Sequence, residues 1–197
     1  MRTAYDAESG RLELSFPGGS TVAGIPELGG ATEAEFGGRT MAGRVLEGEW
    51  SEALSTFVGQ ELRLVKANTA GSSFDAFPLS LCSTASLEAL ARAGGTDTVD
   101  GRRFRQNIYV AGASSHQEDA WVGGEVRVGA ALLRVKMPDS RCVVTTLSPD
   151  TGETDMNTLK LIASYRTGQP QGVQFGVYCT VAEPGEAAVG DEVAPVA

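Results

Sequence analysis

The chain has 197 residues, of which 42% are hydrophobic and 21% are charged, and these proportions are ordinary for a globular protein. The length fits one domain, or one domain with a small additional lobe. The formal net charge is −9, and the acidic residues are spread along the chain. This balance excludes the basic footprint of a nucleic-acid-binding protein and disfavours an anionic membrane surface as a partner.

Several other classes of protein are excluded by missing signals. No segment has the roughly 20 apolar residues of a membrane span, and the first residues lack the apolar run of a signal peptide. The three cysteines are odd in number and form no C-x-x-C pair, so neither a disulfide framework nor a zinc site is indicated. The glycines form no GxGxxG or P-loop pattern, which argues against a nucleotide site. We therefore expect a cytoplasmic protein.

The first third of the chain is predicted to be mostly β structure. Arg11–Phe16 alternates apolar and polar residues and is followed by a Pro-Gly-Gly turn, so it forms a hairpin with Ser20–Ile25. Glu49–Val58 predicts a helix that ends at Gly59 and has Trp50, Leu54 and Phe57 on one face, with Trp50 as a core anchor.

The middle of the chain carries candidate polar contacts. Ser83 or Thr84 is predicted to cap a helix that runs to about Ala93, and the free N–H groups at its start suit an anion as well as a plain cap. Arg105 and Asn107 alternate along a predicted strand and therefore share one side, where they suit a phosphate, although the residues alone favour an ion pair and a turn hydrogen bond.

His116 is the single histidine of the chain and falls in a predicted loop between Ala111 and Asp119. No second histidine or nearby cysteine accompanies it. We therefore predict that His116 is a solvated loop residue. Metalloproteases, zinc hydrolases and enzymes with a histidine-dependent triad need a histidine in a site, so these functions are excluded.

Cys142 is the principal candidate for chemistry. A proline turn at Pro138 is predicted to deliver it to the start of a strand, Val143–Leu147, which a Ser-Pro-Asp-Thr-Gly turn closes. An arginine and small polar residues beside a thiol favour the thiolate, which is both a nucleophile and a metal ligand. Cys82 and Cys179 lie in apolar runs and are predicted to be buried and inert.

The remaining elements are a short helix, Thr158–Tyr165, and a long strand, Gly172–Ala182. Many short strands, glycine turns and only about three helices predict a β-rich α+β fold, with a barrel and a few peripheral helices.

Six motifs in order resemble the MOSC family, the molybdenum-cofactor sulfurase C-terminal domains. They are S-x-A-S-L at 83–87, R-F-R-x-N at 103–107, E-D-x-W at 118–121, V-G at 128–129, S-R-C-x-x-T-T at 140–146 with P-D-T-G after it, and G-V-Y at 176–178 with the later P-G…V-G-D. They are most similar to the mitochondrial amidoxime-reducing type and its bacterial relatives. The resemblance implies a MOSC domain over 61–197 and a partial, truncated N-terminal β lobe of the family over 1–60.

The resemblance also implies a site. Cys142 becomes the ligand of molybdenum, and the contacts to a molybdenum-pterin cofactor fall on Ser83, Arg105, Asn107, Ser140 and Arg141. Two departures stand out. The chain is expected to begin downstream of the family's Pro-x-Lys-Ser motif, and Gln106 stands where the subfamily usually has proline.

Three functions follow from the resemblance and stay open. The first is an oxidoreductase that reduces N-hydroxylated or related N–O and S–O small molecules, with electrons from a separate flavin or iron–sulfur reductase. The second is a sulfur carrier or transferase with a persulfide on Cys142, and the third is a cofactor-free binding module.

Overall fold

A computed structural model describes residues 1–36, 38–168 and 172–196 of the chain. The fold divides into two units, Met1–Asp75 and Ala76–Ala197. The lobes predicted from the family resemblance, 1–60 and 61–197, have a different boundary, and that division stays a prediction.

The first unit contains two three-stranded antiparallel sheets, in the orders β1-β2-β3 and β4-β5-β6, and one helix. Its elements are β1 Arg2–Tyr5, β2 Leu12–Ser15, β3 Thr21–Gly24, β4 Glu27–Phe36, β5 Arg39–Glu47, α1 Trp50–Val58 and β6 Val65–Ala67. The predicted hairpin is confirmed, because β2 pairs with β3 in register Leu12 to Gly24. Helix α1 ends at Gly59 and buries Trp50 as predicted, whereas Phe57, which was predicted to share its face, is exposed.

The second unit contains a curled six-stranded sheet in the order β12-β9-β10-β11-β7-β8. Its strands are β7 Leu79–Ser83, β8 Ile108–Val110, β9 Glu125–Val128, β10 Ala131–Ser140, β11 Gln174–Glu183 and β12 Val193–Val196. All neighbouring strands are antiparallel except β7 and β8, which are parallel. The long β11 confirms the strand predicted there.

Short helices connect these strands: α2 Thr84–Gly94, α3 Thr158–Tyr165, and the 3₁₀ helices η1 Gly101–Phe104, η2 Gln117–Trp121 and η3 Val143–Thr146. The predicted β-rich α+β fold is therefore confirmed, with the barrel realised as a curled half-barrel sheet. No helix among the described residues is long and apolar enough to cross a membrane.

The hydrophobic core of this unit lies on both faces of the sheet. Successive side chains of a strand point to opposite faces, and β7 shows this directly. Leu81 belongs to the cluster that includes Trp121 on one face, and Cys82 belongs to the cluster that includes Phe104 and Phe175 on the other. The second cluster underlies the segments that carry the candidate site.

Candidate functional site

Cys142 lies in the short segment between the end of β10 and the start of η3, and it is exposed. Its carbonyl accepts hydrogen bonds from the Thr145 N–H at 3.3 Å and the Thr145 hydroxyl at 3.1 Å. The Thr146 hydroxyl donates to the Val143 carbonyl at 2.7 Å. These hydrogen bonds, each to a carbonyl three residues earlier, stabilise a tight turn with Cys142 at its start.

The strand predicted over Val143–Leu147 was therefore wrong, because the segment forms the 3₁₀ helix η3. The turn predicted at Pro138 was also wrong. Pro138 lies inside β10, where the register with β11 shifts on both sides of it. A proline cannot donate a ladder hydrogen bond, and irregularities of this kind are the places where a strand accommodates one.

The other two thiols are buried, as predicted. Cys82 and Cys179 are both fully buried, and burial raises the pKa of Cys179 to about 12. Burial also raises the pKa of Cys82, with further contributions from the Glu118 carboxylate. A neutral thiol without solvent access is neither a good nucleophile nor a metal ligand. Cys142 is thus the one cysteine of the three that can react from solution.

Arg105 and Asn107 do not lie on a strand, which corrects the prediction that they alternate on one side of it. Strand β8 begins at Ile108, and Arg105 adopts a left-handed conformation with φ of 52° at the end of η1. Both residues are exposed. The Arg105 guanidinium makes no hydrogen bond or ion pair with the described residues. The Asn107 Oδ1 accepts from the Ser80 N–H at 2.9 Å and from the Ser80 hydroxyl at 3.1 Å.

The two serines predicted to contact a cofactor have different surroundings. Ser140 is exposed at the end of β10, two residues from Cys142, and is paired in register with Gln174. Ser83 is fully buried at the start of α2, where its hydroxyl accepts from the Ser86 N–H at 3.2 Å. The predicted helix cap is therefore confirmed. Whether either serine contacts a cofactor stays a prediction.

Arg141 points into the protein. Its Nε and Nη2 donate to the Phe175 carbonyl at 2.9 and 2.7 Å, and its Nη1 donates to the Phe104 carbonyl at 2.9 Å. Nη2 also pairs with the buried carboxylate of Asp139. The guanidinium charge is thus neutralised inside the protein, and the role of Arg141 as a cofactor contact stays a prediction. The contact with Phe104 brings the segment of Cys142 against the segment of Arg105.

Sequence reasoning missed two buried groups beside this site. Arg103, whose side chain is 7% exposed, donates to the Leu147 carbonyl at 2.8 Å and pairs with Asp155 at 2.7 Å. Asp139 is buried against Arg141. The spacing of Asp139 and Arg141, two residues apart at a strand end, was the available signal for the second pair. Nothing local signals the first pair, because its members are far apart in sequence.

The prediction that His116 is a solvated loop residue was wrong. Its ring packs edge-on to Phe175 with centroids 5.4 Å apart, and Arg166 donates to its Nδ1. Burial, and then the Arg166 charge, lower the pKa of His116 to about 4. Arg166 also pairs with Asp119, whose pKa is raised, chiefly by burial. These contacts lock η2 to the end of α3 and give His116 a structural role.

The donor set at this end of the unit fits a molybdenum-pterin group. An exposed thiol is a soft ligand of the kind that transition metals favour. The exposed guanidinium of Arg105 suits a phosphate, and the anchored Oδ1 of Asn107 leaves its NH₂ group as the free donor. Within the described ranges, no group of three or more His, Cys, Asp or Glu side chains could hold a metal ion by itself.

A family model confirms the resemblance. The MOSC domain model matches residues 66–194, which include every predicted site residue. The chain belongs to the MOSC domain family.

Relatives of at least two kinds match this MOSC chain. It is 36% identical to mitochondrial amidoxime-reducing component 1 of Mus musculus over 127 residues, which cover 60% of this chain and 36% of the mouse protein. It is 33% identical to the molybdenum cofactor sulfurase of Drosophila grimshawi over 82 residues, which cover 42% of this chain and 10% of that protein. The match thus spans about a third of the mouse relative and a tenth of the sulfurase. Among solved structures, YiiM from Geobacillus stearothermophilus superposes with a TM-score of 0.46 at 15% identity, covering 86% of this chain and 73% of YiiM.

Proposed function

We propose that this MOSC chain binds a molybdenum-pterin cofactor through Cys142 and reduces N-hydroxylated or related N–O and S–O compounds. The observation that carries the proposal is the exposed thiol of Cys142 at the start of η3, in a chain whose other two cysteines are buried. The similarity to amidoxime-reducing components supports the reaction class.

The residues have distinct roles in this proposal. Cys142 ligates the metal as a thiolate. Arg105 binds the cofactor phosphate, and Asn107 and Ser140 donate to the pterin or its phosphate. When bound, the metal centre supplies two-electron chemistry that accepts oxygen from the substrate. Two electrons and two protons convert each N–OH group to N–H and release one water.

The electrons come, in this proposal, from a separate flavin or iron–sulfur reductase. An iron–sulfur cluster of the common type needs four cysteine ligands. This chain has three cysteines, of which two are buried. The electrons are therefore expected to come from outside these 197 residues and to arrive at Cys142, the exposed cysteine.

The test is the molybdenum and pterin content of protein purified from a host that makes the cofactor. We expect near-stoichiometric molybdenum in the wild type and its loss in Cys142→Ser. The matched control is Cys179→Ala, which removes a buried thiol and should keep the metal. Absence of molybdenum and pterin from the wild type would overturn the oxidoreductase proposal.

A sulfur carrier is the second candidate, favoured by the same exposed thiol and by the similarity to a molybdenum cofactor sulfurase. The Cys142 thiolate would attack the outer sulfur of a donor persulfide, forming a new S–S bond as the donor thiolate leaves. Cyanide should then release thiocyanate from the wild type and none from Cys142→Ser. A protein with neither molybdenum nor releasable sulfur would instead be a binding module.

A further inference from the structure

The helices η1 and η3 are braced from both directions by buried arginines. Arg103 on η1 reaches past the end of η3, where its Nη1 donates to the Leu147 carbonyl at 2.8 Å. Its guanidinium also meets both oxygens of Asp155, each at 2.7 Å. Two parallel bonds between a guanidinium and a carboxylate fix orientation as well as distance.

Arg141 braces the same two segments in the opposite direction. It precedes Cys142 and donates to the carbonyl of Phe104, the last residue of η1, at 2.9 Å. The Phe175 carbonyl on β11 and the Asp139 carboxylate take its other N–H groups. Its side chain is 9% exposed, so water competes little for these bonds.

Gln106 reinforces this second brace. Its Nε2 donates to the Phe175 carbonyl at 3.3 Å and lies 3.5 Å from the Asp139 Oδ2, and Arg141 contacts the same two groups. A proline at this position has no side-chain donor, so the glutamine that departs from the subfamily pattern is integrated into the packing of this chain. Arg105 directly follows η1, and Cys142 directly precedes η3.

We propose that Arg103 and Arg141 are positioning residues that lock η1 to η3 and fix Arg105 relative to Cys142 before any cofactor is present. The lock rests on contacts within the chain alone. Any effect of the lock on cofactor affinity rests on the proposed function. Only a ligand that contacts both Arg105 and Cys142 would bind more tightly because their separation is fixed.

The lock predicts that each arginine protects amides in the opposite segment, which hydrogen exchange on cofactor-free protein can measure. In Arg103→Gln, the Thr145 and Leu147 amides, which donate within the Cys142 turn, should exchange at least about tenfold faster, a factor that corresponds to ~1.4 kcal/mol. The Val135 amide on β10, which donates to the carbonyl of Gly124 just before β9, should be unchanged.

Two further variants separate the pair from a general loss of stability. Asp155→Asn should accelerate the same amides as Arg103→Gln, and the double variant should add little to either single change. Arg134→Gln, which removes an exposed arginine paired with Glu125, should leave the Cys142 turn as protected as in the wild type.

The reciprocal test uses the second brace. Arg141→Gln alone removes the arginine that pairs with the buried Asp139 carboxylate and risks unfolding, so Arg141→Gln is combined with Asp139→Asn. The Arg105 and Asn107 amides should then exchange faster while sheet amides stay protected. Uniform acceleration across the unit, or none in the opposite segment, would overturn the lock. Because exchange is read without cofactor, a failure of the molybdenum test leaves this result independent.

Discussion

Arg105 allows the cost of the site geometry to be measured. Its φ of 52° is unusual for a residue with a side chain, and its N–H donates to the Arg102 carbonyl at 3.2 Å to close η1. The left-handed conformation costs such a residue roughly 1–2 kcal/mol. The exposed guanidinium makes no bond to the described residues that offsets this cost.

Two substitutions separate the strain from the side chain. Arg105→Ala removes the guanidinium but keeps the strain, so its free energy of unfolding should stay within about 0.5 kcal/mol of the wild type. Arg105→Gly also relieves the strain, but glycine loses more conformational entropy on folding, which offsets part of the stabilisation. The glycine variant should therefore be ~0.5–1 kcal/mol more stable than the alanine variant, which is about 2–5 °C in Tm.

The assay uses the placement of the two tryptophans. Trp50 lies in the first unit and Trp121 in the second, and both are buried. In a Trp50→Phe background, tryptophan fluorescence during denaturant unfolding reports the second unit alone. Both Arg105 variants should lose bound molybdenum to the same degree if the guanidinium holds the cofactor phosphate. A glycine variant no more stable than the alanine variant would refute the strain argument.

Three shorter predictions test other parts of the structure. Iodoacetamide should label Cys142 in the native protein and leave the other two thiols unlabelled until denaturation, as mass spectrometry of the digested protein would show. Because burial depresses the pKa of His116 to about 4 from an ordinary value of 6.5, the unfolded chain binds the extra proton first as the pH falls. Stability should therefore drop between pH 6.5 and 4, by less in His116→Gln, and an equal drop would contradict this. Gly176→Ala, where a Cβ would lie 2.8 Å from the Leu81 carbonyl, should lower Tm more than Gly152→Ala, which has the same sign of φ and open space.

The sequence predicted elements well where their causes are local. The start of α2 at Ser83 follows from a serine that caps its own helix three residues on, and the structure contains that bond. The hairpin of β2 and β3 follows from alternation on either side of a Pro-Gly-Gly turn. The family motifs pointed to Cys142 because matching a motif needs only the order of residues in the chain and no knowledge of tertiary contacts.

The failures have two physical causes: local side-chain hydrogen bonds that outweigh strand propensity, and partners far away in sequence. Val143 and Thr145 belong to a β-branched run that favours a strand, but threonine hydroxyls bond backward to carbonyls and hold a 3₁₀ turn. His116 is half-buried and not solvated, and Arg166, 50 positions later, donates to its ring. No short window along the chain contains both His116 and Arg166.

The long sequence separation between Arg141 and its acceptors affects the order in which the site can form during synthesis. Its acceptors lie 37 positions earlier, at Phe104, and 34 positions later, at Phe175. A ribosome therefore releases Cys142 well before the strand that completes its surroundings, and closing these long loops slows folding. Between those two moments the thiol is held by local turns alone. During that interval the Thr145 and Thr146 bonds of the turn can form, whereas the bonds from Arg141 to Phe175 cannot.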